Sequence, residues 1–131
     1  MERLKERLTL ALKALRSLEE LLIIESPSKV ERDAAIQRFE YTFEAVCKAA
    51  GRFLLVIDGI DVASPKAIIR SSREVGLFKD DQAVLALEMV DDRNLTVHTY
   101  NEALAEQIFS NLSRYAELLA HWLKTMDERV Q

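Results

Sequence analysis

The sequence predicts an all-α protein, an antiparallel helical bundle of about five helices. Three observations point there. Only three glycines and two prolines occur in 131 residues, which leaves little material for hairpin turns. Leu, Ala, Glu, Lys and Arg, which lose little on entering a helix, are abundant along the chain. Apolar residues recur at intervals of three and four over long stretches. The length suits one domain, residues 1–131, with a real core, and is short for two.

The first helix is expected over about residues 2 to 24, where Leu4, Leu8, Ala11, Leu12, Leu15, Leu18 and Leu22 form an apolar stripe. Ser26-Pro27 breaks it, because proline lacks an N–H and restricts its predecessor. Ser28-Lys29-Val30-Glu31 is a capping box that opens a long second helix. Ile36, Phe39, Phe43, Val46, Cys47, Ala50, Phe53, Leu54 and Ile57 line one side of that helix, and Gly51 offers a bend. Asp58-Gly59 ends it, since glycine suits the left-handed cap. Ser64-Pro65 starts a short third helix that finishes by Gly76. Asp80-Asp81 opens a fourth, carrying Val84, Leu85, Leu87 and Met89. The fifth keeps its period longest, from Leu104 and Ile108 through Leu112, Tyr115, Leu119 and Trp122 to Met126.

Composition narrows the function classes. The net charge of −4 argues against a surface that grips nucleic acid everywhere and limits any such contact to a local patch. One basic stripe exists: Lys66, Arg70 and Arg73 share a face of the third helix, as a solvated face or a guide for phosphates. Cys47 stands alone, so no internal disulfide forms, and its apolar neighbours mark a core residue. Two distant histidines give no zinc spacing, and no glycine-rich phosphate loop is present, so neither a metal nor another cofactor is expected. No stretch approaches the ~20 apolar residues of a membrane span, and the first residues lack a signal-peptide core. A cytoplasmic protein is expected.

The segment DDRNLTVHTYNEAL, residues 91–104, differs from the plain helix around it. Arg93 and His98 would diverge by about 140° on a continuous helix, so they cooperate only across a break. Thr99-Tyr100-Asn101-Glu102 reads as another capping box, with Thr99 as N-cap and the fourth helix ending near Leu95 or Thr96. The corner then brings a guanidinium, an imidazole and a helix N-terminus near one another, a combination suited to a phosphodiester without a metal. Asn94 supports the pair and Tyr100 adds a hydroxyl. The plainer alternative is that Arg93 pairs with Asp91 or Asp92 and His98 is a surface residue.

Arg93-Asn94-Leu95-Thr96-Val97-His98-Thr99-Tyr100 resembles the Arg-x4-His-x-Tyr signature of the HEPN superfamily. RDAAIQRFEYTFEAVCKAA (32–50) and SPKAIIRSSREVGLFKDD (64–81) resemble its nucleotidyltransferase substrate-binding, HepT-like toxin branch. The resemblance implies a helical-bundle homodimer and a partner, a separately encoded minimal nucleotidyltransferase acting as antitoxin. It implies a metal-independent ribonuclease with Arg93 and His98 catalytic, and attachment of AMP at Tyr100 as the switch. An alternative within the branch is a non-catalytic subunit that holds a nucleotide or other substrate for the nucleotidyltransferase. This chain lacks the paired-aspartate strand pattern of the nucleotidyltransferase itself, so any nucleotide transfer belongs to the partner.

Overall fold

The computed structural model describes residues 1–131 and is helical throughout. In chain order the elements are α1 (Glu2–Leu22), α2 (Lys29–Asp58), α3 (Pro65–Glu74), α4 (Asp80–Leu95) and α5 (Glu102–Val130). A 3-10 turn, Thr96–His98, separates the last two.

Local chemistry sets most boundaries. The Ser28 hydroxyl accepts from the Glu31 amide at 3.1 Å while the Glu31 carboxylate accepts from the Ser28 amide at 2.9 Å. This satisfies two donors that a helix start leaves free. Ser64 caps α3 through the Ala67 amide at 3.3 Å, and Pro65 follows at the first turn. Gly59 closes α2 with φ of 68°, in the left-handed region that a side chain disfavours. α2 runs unbroken through Gly51.

The start of α5 departs from the expectation. Thr99 keeps helical dihedrals (φ −72°, ψ −2°), because residues 96–98 wind on into the 3-10 turn. An N-cap needs extended backbone, and that conformation falls at Asn101 (φ −80°, ψ 110°), whose side chain accepts from the Leu104 amide at 3.2 Å. The free amides of α5 therefore lie further along the chain than a Thr99 cap would place them.

Contacts define the topology. Arg7 reaches Lys48, Ser17 meets Tyr41 and Glu20 meets Arg38, so α1 and α2 run antiparallel. Arg32 meets Glu102 and Phe39 stacks on Tyr115, so α2 and α5 run in the same direction. Lys66–Asp91 and Arg73–Asp80 make α3 and α4 an antiparallel pair.

The core is a cluster of 33 buried apolar residues. Phe39 lies between Phe43 and Tyr115, with ring centroids 6.3 and 5.6 Å away. At the other end Phe78, from the α3–α4 connection, tilts over Trp122 at 4.8 Å. The indole N–H of Trp122 donates to Ser72 Oγ at 3.2 Å, so its burial strands no donor. Leu12 and Val84, expected in the core, lie outside it, 43% and 58% exposed. α4 instead buries Ala83, Ala86, Met89 and Val90, because its small residues allow close approach to its neighbours. Ile57, in the last turn of α2, is also exposed.

One buried charge ties the bundle's ends. Arg32 is 6% exposed, and its guanidinium donates to Glu102 at 2.9 and 3.3 Å and to Asp33 at 2.9 and 3.1 Å. Those hydrogen bonds hold the Arg32 guanidinium firmly charged and draw the Glu102 carboxyl below its ordinary value. A depressed carboxyl contributes stability above its unfolded-state pKa of 4.5 and loses it as pH falls through the lower folded-state value. Thermal unfolding of wild type and Glu102→Gln should therefore show a constant wild-type advantage at neutral pH. That advantage should shrink on acidification below pH 4.5, and a gap that widens there would contradict the clamp.

Candidate functional site

The last turn of α4 carries three consecutive charges, and a helix turns about 100° per residue, so they face three ways. Asp91 meets Lys66 on α3 at 3.1 Å. Asp92 accepts from Tyr115 Oη at 2.6 Å and from Asn111 Nδ2 at 3.1 Å, both on α5. Arg93 donates to Glu44 on α2 at 2.7 Å. The alternative that Arg93 pairs with its own acidic neighbours is thereby corrected, since the helix points those carboxylates elsewhere.

Beyond α4 the chain tightens. Thr96 is buried and its hydroxyl donates to the Arg93 carbonyl at 2.7 Å, satisfying one of the acceptors that a helix end exposes. His98 follows on the surface, and its Nδ1 lies 3.2 Å from Tyr100 Oη. The two rings meet edge to face with centroids 5.8 Å apart. Tyr100 is 82% exposed. With Nδ1 unprotonated, the phenol donates to the imidazole, which leaves a hydroxyl in open solvent with a base against it.

The sequence-derived candidates thus form two groups. His98 and Tyr100 sit together on the corner between α4 and α5. Arg93 and Asn94 line a cleft of about 450 Å3 bounded by α1, α2, α3 and the connection before α3. Within the chain no hydrogen bond joins Arg93 to His98; each has its own partner. On the basic stripe, Lys66 pairs with Asp91 and Arg73 lies 3.8 Å from Asp80, while Arg70 is exposed and free.

The cleft holds residues that sequence reading did not single out. Arg7, Lys48 and Arg52 join Arg93 around it, and Glu44 and Asp61 are its carboxylates. Phe43, Cys47 and Ile68 give it an apolar floor. Burial pushes the Cys47 thiol up to about 12, so it is a neutral part of that floor and no nucleophile. The Nε atoms of Arg52 and Arg93 are buried without a hydrogen-bond partner. No periodicity announces such a gathering; three separate helices and the connection before α3 supply its charges.

Several known proteins share features with this chain. Residues 6–128 match the family described as "nucleotidyltransferase substrate binding protein like". A crystal structure of a Thermus thermophilus protein superposes with a TM-score of 0.87 at 59% identity, covering 88% of this chain and 98% of that one. The Haemophilus influenzae protein HI0074 has the fold of a substrate-binding domain of a nucleotidyltransferase. It superposes with a TM-score of 0.75 at 24% identity, covering 92% of this chain and 98% of its own. No functionally curated protein shows a significant match.

Asp92 anchors the turn that presents both groups. Its neighbour Tyr115 is buried, and burial together with the Asp92 hydrogen bond keeps its phenol protonated well above the ordinary range. Tyr115→Phe removes a hydrogen bond to a charged acceptor and should cost about 1.5–3 kcal/mol by denaturant unfolding. An unchanged midpoint would remove Asp92–Tyr115 from the forces holding the corner.

Proposed function

The chain belongs to the nucleotidyltransferase substrate-binding protein-like family, and from that membership we propose that it is the partner subunit of a separately encoded minimal nucleotidyltransferase, acting through the His98–Tyr100 corner. The observation that carries this reading is the exposed Tyr100 hydroxyl 3.2 Å from His98 Nδ1. An acceptor for a nucleotidyl group needs a reachable oxygen and a base to take its proton. Tyr100 Oη attacks the α-phosphorus of ATP held by the partner, the phenolic proton passes to His98, and pyrophosphate leaves. The product is Tyr100 carrying AMP.

Without AMP, the same corner is a metal-independent ribonuclease of the HEPN, HepT-like type. His98 takes the proton of a ribose 2′-hydroxyl, that oxygen attacks the adjacent phosphorus, and the bond to the 5′ oxygen breaks to leave a 2′,3′-cyclic phosphate. The departing 5′ oxygen takes a proton from water or from the protonated His98. Arg93 stabilises the charge that develops on phosphorus, Asn94 supports it, and Lys66, Arg70 and Arg73 guide the strand. Two copies of the chain pair about a twofold axis and set two such motifs across one groove. AMP on Tyr100 places bulk and negative charge beside His98 and blocks entry of RNA, as in a toxin held by its antitoxin.

A second reading is favoured by the Arg93–Glu44 pair, which ties the guanidinium to α2 at the cleft, with no hydrogen bond to His98. In that reading the subunit holds a nucleotide or other substrate for its partner and cleaves nothing.

Two assays separate these readings. Incubation with RNA and EDTA should give cleavage that is lost by about 100-fold or more in His98→Ala, the usual worth of a general base. Cleavage equal in wild type and variant would refute the ribonuclease. With an active partner and ATP, mass spectrometry should show addition of AMP to wild type and none to Tyr100→Phe. An unmodified wild type would refute Tyr100 as acceptor.

A further inference from the structure

We propose that the cleft walled by Arg7, Lys48, Arg52 and Arg93 binds a small phosphate ester with an apolar, ring-sized body, a class for which a nucleoside monophosphate is the probe. The proposal rests on the substrate-holding reading above and gives that substrate its chemistry. Its site is separate from the exposed corner: neither His98 nor Tyr100 lines the cleft.

Arg52 carries the argument. It makes no ion pair and no hydrogen bond, yet its Nε is buried. Arg93 repeats the pattern, with its terminal nitrogen on Glu44 and its Nε buried and unpartnered. Buried donors are nearly always met by an acceptor, and leaving one unmet costs about 1–3 kcal/mol. Those two Nε atoms are closed off, so a ligand meets the terminal nitrogens, of which both on Arg52 and one on Arg93 have no partner. Both residues line the cleft, and phosphate matches the planar fork.

The remaining walls fit the rest of such a ligand. Lys48 makes no ion pair, and Arg7 donates only to the Lys48 carbonyl at 3.3 Å, so both keep positive charge at the rim. Of the two carboxylates, Glu44 is engaged by Arg93, while Asp61 is exposed and free to accept from a hydroxyl of the ligand. Phe43, Cys47 and Ile68 floor the cleft with apolar surface and carry no charge to repel a phosphate. A volume of about 450 Å3 lies in the range of small-ligand sites.

The test is calorimetric titration of the full chain at low salt with AMP, inorganic phosphate and adenosine. AMP should bind more tightly than either fragment, because it alone engages both the guanidinium groups and the floor. Arg52→Gln should weaken AMP by about tenfold or more, the loss of one charge-assisted hydrogen bond, while Arg52→Lys falls between. Arg16→Gln, an equal charge change outside the cleft, should bind as wild type.

Arg52→Gln should also unfold no earlier than wild type, since it removes an unsatisfied group; a lower Tm with proportionate loss of binding would mark Arg52 as structural and overturn the proposal. So would AMP binding no tighter than phosphate, or binding indifferent to Arg52. Complex formation with the nucleotidyltransferase is measured separately. A complex that forms without AMP binding defeats the cleft alone, and AMP binding without a complex defeats the subunit reading while the cleft stands.

Discussion

Arg32 sits almost entirely out of water at the start of α2, and a guanidinium there requires acceptors. Asp33 supplies some from the next residue, and Glu102 supplies the rest from 70 positions away. That requirement fixes where α5 begins relative to α2. It gives a physical reason for Asn101 as the cap, because this start puts Glu102 in the first turn beside Arg32. It also leaves the residues between Leu95 and Asn101 as a tight, separate corner. The apolar period of α5 buries Tyr115 against Phe39 and Trp122 against Phe78, in keeping with that start.

The corner in turn depends on how α4 distributes its last charges. Because Asp91, Asp92 and Arg93 diverge around the helix, each bonds α4 to a different neighbour: α3, α5 and α2. One turn of helix thereby fixes the helix end in three directions. His98 and Tyr100, which follow, are held by little except each other and stay open to solvent. The Tyr100 hydroxyl thus has rigid support behind it and open solvent in front.

Arg93 stands between two chemistries. Its backbone carbonyl receives Thr96 at the corner, while its side chain reaches across to Glu44 in the cleft. A ribonuclease requires that guanidinium to serve the corner, and a substrate holder requires it in the cleft. Its lone ion pair with the half-exposed Glu44 is of the kind worth under about 1 kcal/mol, so contact with phosphate can redirect it.

Helix positions, caps and the break after Leu95 were legible in the sequence because they depend on neighbours within four residues. Ser28 and Glu31, Gly59, and Ser64 with Pro65 all act where they were read. Thr99 was misplaced because Thr and Asn both cap, and the choice between them came from the 3-10 turn and the distant Arg32. The pairing of His98 with Tyr100 was within reach, two residues apart. The cleft was not. Arg7, Lys48, Arg52 and Arg93 come from three helices, and Glu44 meets Arg93 across 49 positions. The sequence by itself determined the rods and the chemistry carried on their surfaces, since hydrogen bonding along a helix is local. Only the tertiary structure decided which charges share a space, because that depends on how rods of fixed register rotate to bury their apolar sides.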